Sequence, residues 1–162
     1  MNNEPVAPLT NAGVYFPPPF YYFGGLVGGW LLDRYVVALR LPGVHATAVT
    51  FLAGLLVGIG VGLALWGITT FKRARTAIIP HRGASHLVIV GPYRFTRNPM
   101  YTGMTIAYLG ATGLIGSAWP LLLLPIVIAT ILVRVIRREE RYLADAFGAE
   151  YAAYCREVRR WL

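Results

Sequence analysis

Two short stretches of this chain gather the residues able to do chemistry. The first runs from His86 to Tyr101 and carries Gly91, Pro92, Tyr93, Arg94, Arg97, Asn98, Pro99 and Tyr101 along a basic loop that leads straight into an apolar segment. The second is the pair Glu139 and Glu140, directly behind Arg134, Arg137 and Arg138. Joining two helices requires none of these residues. Pro99 suits the first turn of a helix, where its missing donor goes unused. Asn98 then falls at the N-cap, beside a helix N-terminus that favours a carboxylate or phosphate. Arg94 and Arg97 divide evenly between two roles: snorkelling anchors at a membrane edge, or a two-pronged grip on an anion. For Glu139 and Glu140 the plain account is ion pairing with the arginines, and the chemical account is a carboxylate that holds a cationic ligand.

The elements that must position these groups follow from where charge is missing. Residues 5–32, 41–71 and 98–133 contain no Asp, Glu, Lys or Arg, and an ionised side chain at the bilayer centre costs several kcal/mol. A spanning helix needs roughly 20 apolar residues. The first two runs therefore hold one helix each, and the third holds two separated by a turn at Gly116, Ser117, Trp119 and Pro120. The expected spans are 15–32, 46–71, 101–115 and 119–136, with a polar tail from Arg137. Pro17, Pro18 and Pro19 crowd the first span, so its helix is expected to start only after Phe20. This reading gives an all-α, polytopic transmembrane bundle of about four spans with cytosolic C-terminal amphipathic helices. It forms one domain over 1–162, with the N-terminal transmembrane helices in 14–71 and the loop, helical hairpin and tail in 86–162.

Basic residues favour the cytosolic side in short loops. Lys72, Arg73, Arg75, Arg82, Arg94 and Arg97 crowd one loop without an acid, and the arginine-rich tail follows an even number of spans later. Loop and tail are thus expected in the cytosol. The net charge of +8 over 162 residues is accounted for by that asymmetry and by anionic head groups. No nucleic-acid module is indicated, since basic and aromatic residues do not interleave on a soluble surface. The leader 1–13 has Glu4 as its only charge and lacks the positive start of a signal peptide. Cys155 is the lone cysteine, so no internal disulfide and no metal centre are expected. Gly54, Gly58 and Gly62, spaced by four, are expected to form a strip where the second helix packs against a neighbour. Gly58, Gly60 and Gly62 are no dinucleotide fingerprint, because no strand precedes them. In the tail, Leu143, Phe147, Tyr151, Tyr154, Val158 and Trp161 repeat with the period of a one-sided helix, which Gly148 should break or bend.

The run from Leu87 to Gly103, together with Glu139, Glu140, Leu143, Phe147, Gly148, Tyr151 and Tyr154, resembles the integral membrane methyltransferases of the isoprenylcysteine carboxyl methyltransferase and phospholipid methyltransferase families. The resemblance covers roughly the C-terminal half. It implies a bundle whose cytosolic loop and tail enclose S-adenosylmethionine, with a lipid-like acceptor entering from the bilayer of a bacterial or archaeal cell. Carried over residue by residue, it places His86, Leu87, Val88, Tyr93, Asn98, Pro99, Met100, Tyr101, Glu139 and Glu140 at the cofactor, and it leaves the catalytic base unassigned. Arg134, Arg137 and Arg97 are the residues expected to orient the acceptor. Many relatives have His where this chain has Asn98, and the arginine that prenylcysteine-modifying relatives carry falls nearest Val135, which leaves the prenylcysteine substrate open. The same motifs also resemble NADPH-dependent sterol reductases, whose chains have many more spans. A non-catalytic scaffold is the remaining alternative.

Overall fold

The computed structural model describes residues 16–43, 46–74 and 87–161, so the expectations placed on His86, Arg75, Arg82 and the leader lie outside the described residues. Among the described residues the chain is helical and has no strand: α1 (Pro19–Tyr35), α2 (Thr47–Arg73), a 3-10 turn (Gly91–Arg94), α3 (Pro99–Ile115), α4 (Ala118–Ile131), a π-helical turn (Leu132–Ile136) and α5 (Arg137–Glu157). Helix α2 and the continuous rod from Ala118 to Glu157 are long and apolar enough to cross a membrane. Helices α1 and α3 have 17 residues each, the lower end of what spans a bilayer. Local sequence sets both lengths. The start expected only after Phe20 is corrected: α1 begins at Pro19, because a proline fits the first turn of a helix, and Gly116, at φ 73°, ends α3 in the left-handed conformation that suits glycine.

Helix α1 runs one turn further than its uncharged stretch and takes in Asp33. That carboxylate is buried. It accepts from the Leu39 amide at 2.9 Å and lies 3.2 Å from Arg40, which offsets the cost of burying a charge. The segment after α1 is then stitched to the α3–α4 turn: the Leu41 amide donates to Gly116, the Ala118 amide to Leu39, and the Trp119 indole to Val37. The connection after α1 and the α3–α4 turn therefore meet at one end of the bundle.

Small residues set the helix pairs. Gly60 faces the Gly103 carbonyl and the Ala107 backbone, and Gly110 faces the Ala53 carbonyl, so α2 and α3 approach backbone to backbone. Gly25 of α1 makes room for the side chains of Val127 of α4 and Tyr108 of α3, and Gly29 for Pro120 of α4. The packing strip expected at Gly54, Gly58 and Gly62 is therefore corrected. Nothing lies within 4 Å of where their Cβ atoms would be, and the contact face consists of Ala53, Gly60, Ala64 and Gly67. Phe51, Leu55, Ile59 and Leu65 are exposed on the rest of α2. So broad an apolar surface suits hydrocarbon and not water.

Candidate functional site

The loop enters at Leu87 and turns at Gly91, whose φ of 62° and close approach to the Thr70 hydroxyl leave no room for a side chain. The 3-10 turn buries Pro92 and Tyr93 while leaving Arg94 exposed. The Tyr93 ring stands edge-on to Phe71 of α2, with centroids 5.0 Å apart. Its hydroxyl lies near Gly67 and Met100; it is buried and has no hydrogen-bond partner among the described residues. Tyr154 of α5 donates to the Tyr93 carbonyl at 2.7 Å, tying tail to loop.

Pro99 opens α3, as its chemistry predicts, and one turn of helix places Tyr101 toward α5. The Tyr101 hydroxyl donates to Glu139 Oε1 at 2.8 Å, while its carbonyl accepts from Tyr22 of α1 at 3.0 Å. Packing around Glu139 pushes its carboxyl up from 4.5 to about 7, against the stabilising Tyr101 hydrogen bond and with help from the charge of Glu140. Burial also raises the Tyr93 phenol, and the Glu139 charge adds to the shift. Loop, α3 and α5 thus place one carboxyl and two phenols close enough to influence one another.

Glu140, one residue on, faces elsewhere. Arg160 grips it with Nε and Nη2 at 2.8 and 2.7 Å, and Arg97 Nη1 lies 3.3 Å away. Arg97 Nη1 also donates to the Cys155 sulfur at 2.6 Å. The Arg160 carbonyl accepts from the Thr96 hydroxyl and from Asn98 Nδ2, both at 3.0 Å, and the Arg159 carbonyl accepts from the Arg97 amide at 2.8 Å. These contacts form a clasp between the segment after α5 and the residues just before α3. Gly148, at φ 48° and ψ −117°, interrupts α5, in keeping with the bend expected there.

The sequence-derived residues therefore divide. Tyr93, Met100, Tyr101 and Glu139 come together, with Pro99 and Val88 buried beside them in the same loop and first turn. Asn98, Arg97 and Glu140 belong to the clasp. Asn98 stands at the N-cap position but its side chain does not cap the helix; its Nδ2 donates to the Arg160 carbonyl instead. Leu87 lines a groove of about 430 Å³ between loop and tail, together with Ile89, Arg94, Glu150, Tyr154 and Glu157. Arg134 and Arg137 are exposed, on the side of the rod away from Glu139. Sequence reasoning missed Tyr22, Thr96, Cys155 and Arg160 as partners of these groups. Among the described residues no cluster of His, Cys, Asp and Glu is arranged to hold a metal ion.

The family model described as phospholipid methyltransferase matches residues 48–150, which includes α2, the loop, Tyr101 and both glutamates. The chain belongs to that family. It is also 30% identical over 161 residues to the cobalt-zinc-cadmium resistance protein CzcN of Cupriavidus metallidurans, covering 98% of this chain and 73% of that protein. Over 78 residues it is 35% identical to the protein-S-isoprenylcysteine O-methyltransferase of Schizosaccharomyces pombe, covering 48% of this chain and 33% of the other. No solved structure matches.

Proposed function

We propose that the chain transfers the methyl group of S-adenosylmethionine to a lipid-like acceptor, such as a prenylcysteine carboxylate, a phospholipid amine or another hydrophobic small molecule. In this reading the basic loop and the tail lie in the cytosol of a bacterial or archaeal cell, and four helices cross its membrane. The observation that carries the proposal is Glu139, a half-buried carboxyl raised by its surroundings and bonded to Tyr101. A carboxyl in that position is stabilised when a cation arrives. S-adenosylmethionine carries an ammonium and a sulfonium, so the residues present suit it.

Within this proposal Glu139 binds the ammonium and gives up its own proton as it does so. The Tyr93 and Tyr101 rings flank the sulfonium, where an aromatic face attracts a cation by roughly 0.5–2 kcal/mol. The methionyl carboxylate meets the start of α3, which has no side-chain cap and whose free amides favour an anion. Leu87, Val88, Pro99 and Met100 wall the nucleoside, and Asn98 and Glu140 act through the clasp that holds the wall in place. When bound, the cofactor supplies a methyl group on a good leaving group. The protein's share is alignment and exclusion of water, and no general base is assigned.

Calorimetry of the detergent-purified protein with S-adenosylmethionine, S-adenosylhomocysteine and NADPH tests the assignment. Binding of the first two and not of NADPH is expected. Binding of NADPH alone would make the chain a reductase, and binding of none would make it a scaffold.

A further inference from the structure

We propose that the turn at Ile89, Val90 and Gly91 dips back into the bilayer, so that Val90 and Ile89 pack among acyl chains just below the lipid head groups. Val90 is 57% exposed and Ile89, which also borders the groove toward the tail, is 46% exposed. Beside them α2 bares Leu65 and Trp66, at 54% and 48%. Apolar side chains left open together on one surface need an apolar partner.

The height of the turn says which partner that is. Lys72 and Arg73 close α2 and mark the level of the head groups. A side chain at Gly91 would meet the Thr70 hydroxyl at 2.9 Å and the Trp66 indole nitrogen at 3.5 Å. Thr70 and Trp66 lie before Lys72 by about 3 and 9 Å along the helix, at 1.5 Å per residue. The chain that leaves α2 therefore comes back down beside it before α3 begins. The start of α3 agrees, since the Met100 amide lies 3.6 Å from where a side chain at Gly67 would stand. Trp66, with its indole nitrogen at the turn, is the residue type that favours this boundary layer.

Backbone chemistry points the same way. Irregular chain at membrane depth must find partners for its polar groups within the protein. The Val90 carbonyl accepts from the Tyr93 amide at 3.3 Å, the Pro92 carbonyl from the Phe95 amide at 3.2 Å, and the Tyr93 carbonyl from the Tyr154 hydroxyl at 2.7 Å. Pro92 has no amide proton to satisfy. Arg94 is exposed, and its stem is long enough to carry the charge up to the head groups. The occupant of this surface is thus the bilayer, continuous with the lipid-facing side of α2. The inference holds whichever acceptor is methylated, and it does not depend on the cofactor.

The test places the full-length Cys155→Ser protein in phosphatidylcholine vesicles, with a single nitroxide on a cysteine introduced at Val90 or Ile89. Relaxation of the label by oxygen, which concentrates among acyl chains, is compared with relaxation by a water-soluble nickel chelate. Leu65→Cys and Asp145→Cys give the hydrocarbon and water references. At Val90 oxygen should outweigh the chelate, as at Leu65, and the ratio should invert at Asp145. If Val90→Cys does not fold, Ile89→Cys decides in the same way. A chelate effect that outweighs oxygen, as at Asp145, would leave the turn in water and overturn the proposal. So would a label shielded from both reagents or broadened by a second label, since that would make this surface a contact between two copies of the chain.

Discussion

Replacing Glu139 with Gln removes one charge and keeps the shape, so its consequences can be worked out in the free protein and in the complex. In the free protein the carboxyl titrates near 7 instead of 4.5. The folded state therefore holds its proton more tightly than the unfolded chain. Stability from this group is fully present below about pH 4.5 and is lost as pH rises through about 7. The shift corresponds to at most about 3 kcal/mol, and less in practice because water reaches a half-buried carboxyl. Glu139→Gln should abolish that pH dependence, leaving a protein of nearly unchanged stability at pH 4 and a more stable one at pH 8. In the complex the sign reverses. An ammonium beside Glu139 stabilises the ionised form, so S-adenosylmethionine binding should expel a proton: about half of one per site at pH 7, and nearly a whole one at pH 6. Affinity should accordingly fall toward tenfold per pH unit below 7 and level off above it. The variant should lose about 1.5–3 kcal/mol of affinity, the worth of a charged hydrogen bond, along with the pH slope. Calorimetry in two buffers of different ionisation enthalpy measures the proton directly. Binding that releases no proton at pH 6, with affinity equal in wild type and variant, would remove Glu139 from the ligand and leave it as a partner of Tyr101 only.

Four further outcomes are expected. Arg160→Ala opens the clasp and should lower stability by about 1–2 kcal/mol, a charged hydrogen-bond loss discounted because the side chain is 39% exposed; it should also make the tail more protease-sensitive, and an unchanged cleavage pattern would deny the clasp its role. Gly60→Leu should prevent α2 and α3 from pairing, whereas Gly58→Ala, with nothing within 4 Å, should be neutral or slightly stabilising by helix propensity; equal thermal midpoints for the two would contradict the assigned face. Single cysteines at Arg94 and Arg141 in a Cys155→Ser background should be shielded from an impermeant thiol reagent in intact cells, and labelling from outside would invert the topology. Lengthening an acceptor's alkyl tail should raise apparent affinity by up to about 0.8 kcal/mol per methylene newly buried, and a tailless soluble acceptor that works best would exclude entry from the bilayer.

The loop–helix junction was legible in the sequence because charge is costly in hydrocarbon, so a run of Tyr93, Arg94, Arg97 and Asn98 at a membrane edge stands out. Pro99 and Gly148 were legible as local backbone chemistry. The packing face of α2 was not. On a water-soluble helix the apolar side marks the core, but α2 is apolar all round, and hydropathy then carries no phase. Three glycines at a spacing of four drew the reading to the lipid-facing side, while the contact ran through a mixed series of Ala53, Gly60, Ala64 and Gly67. The clasp was illegible for a different reason. Thr96 and Asn98 meet Arg160 across 64 and 62 residues, through main-chain carbonyls that any residue type supplies, and only after α5 has bent at Gly148.

The π turn at Leu132–Ile136 explains how neighbouring glutamates come to serve two sites. Its Arg137 amide donates to the Leu132 carbonyl, five residues back, which inserts one extra residue into the turn between α4 and α5. Each residue of a regular helix advances about 100°. With the extra residue in place, Glu139 meets Tyr101 and Glu140, about 100° further round, meets Arg97 and Arg160. Were the turn to anneal to regular helix, every later residue would advance by one position. Arg138 would then face the Tyr101 hydroxyl and Glu139 would take the place of Glu140, which would put a cation where the proposed ligand's ammonium should bind. Val135 and Ile136 within the turn have no solvent exposure, so core packing holds the bulge in register. The paired acids thus make one contact to Tyr101 and one to the clasp of Arg97 and Arg160, and the backbone irregularity before them decides which is which.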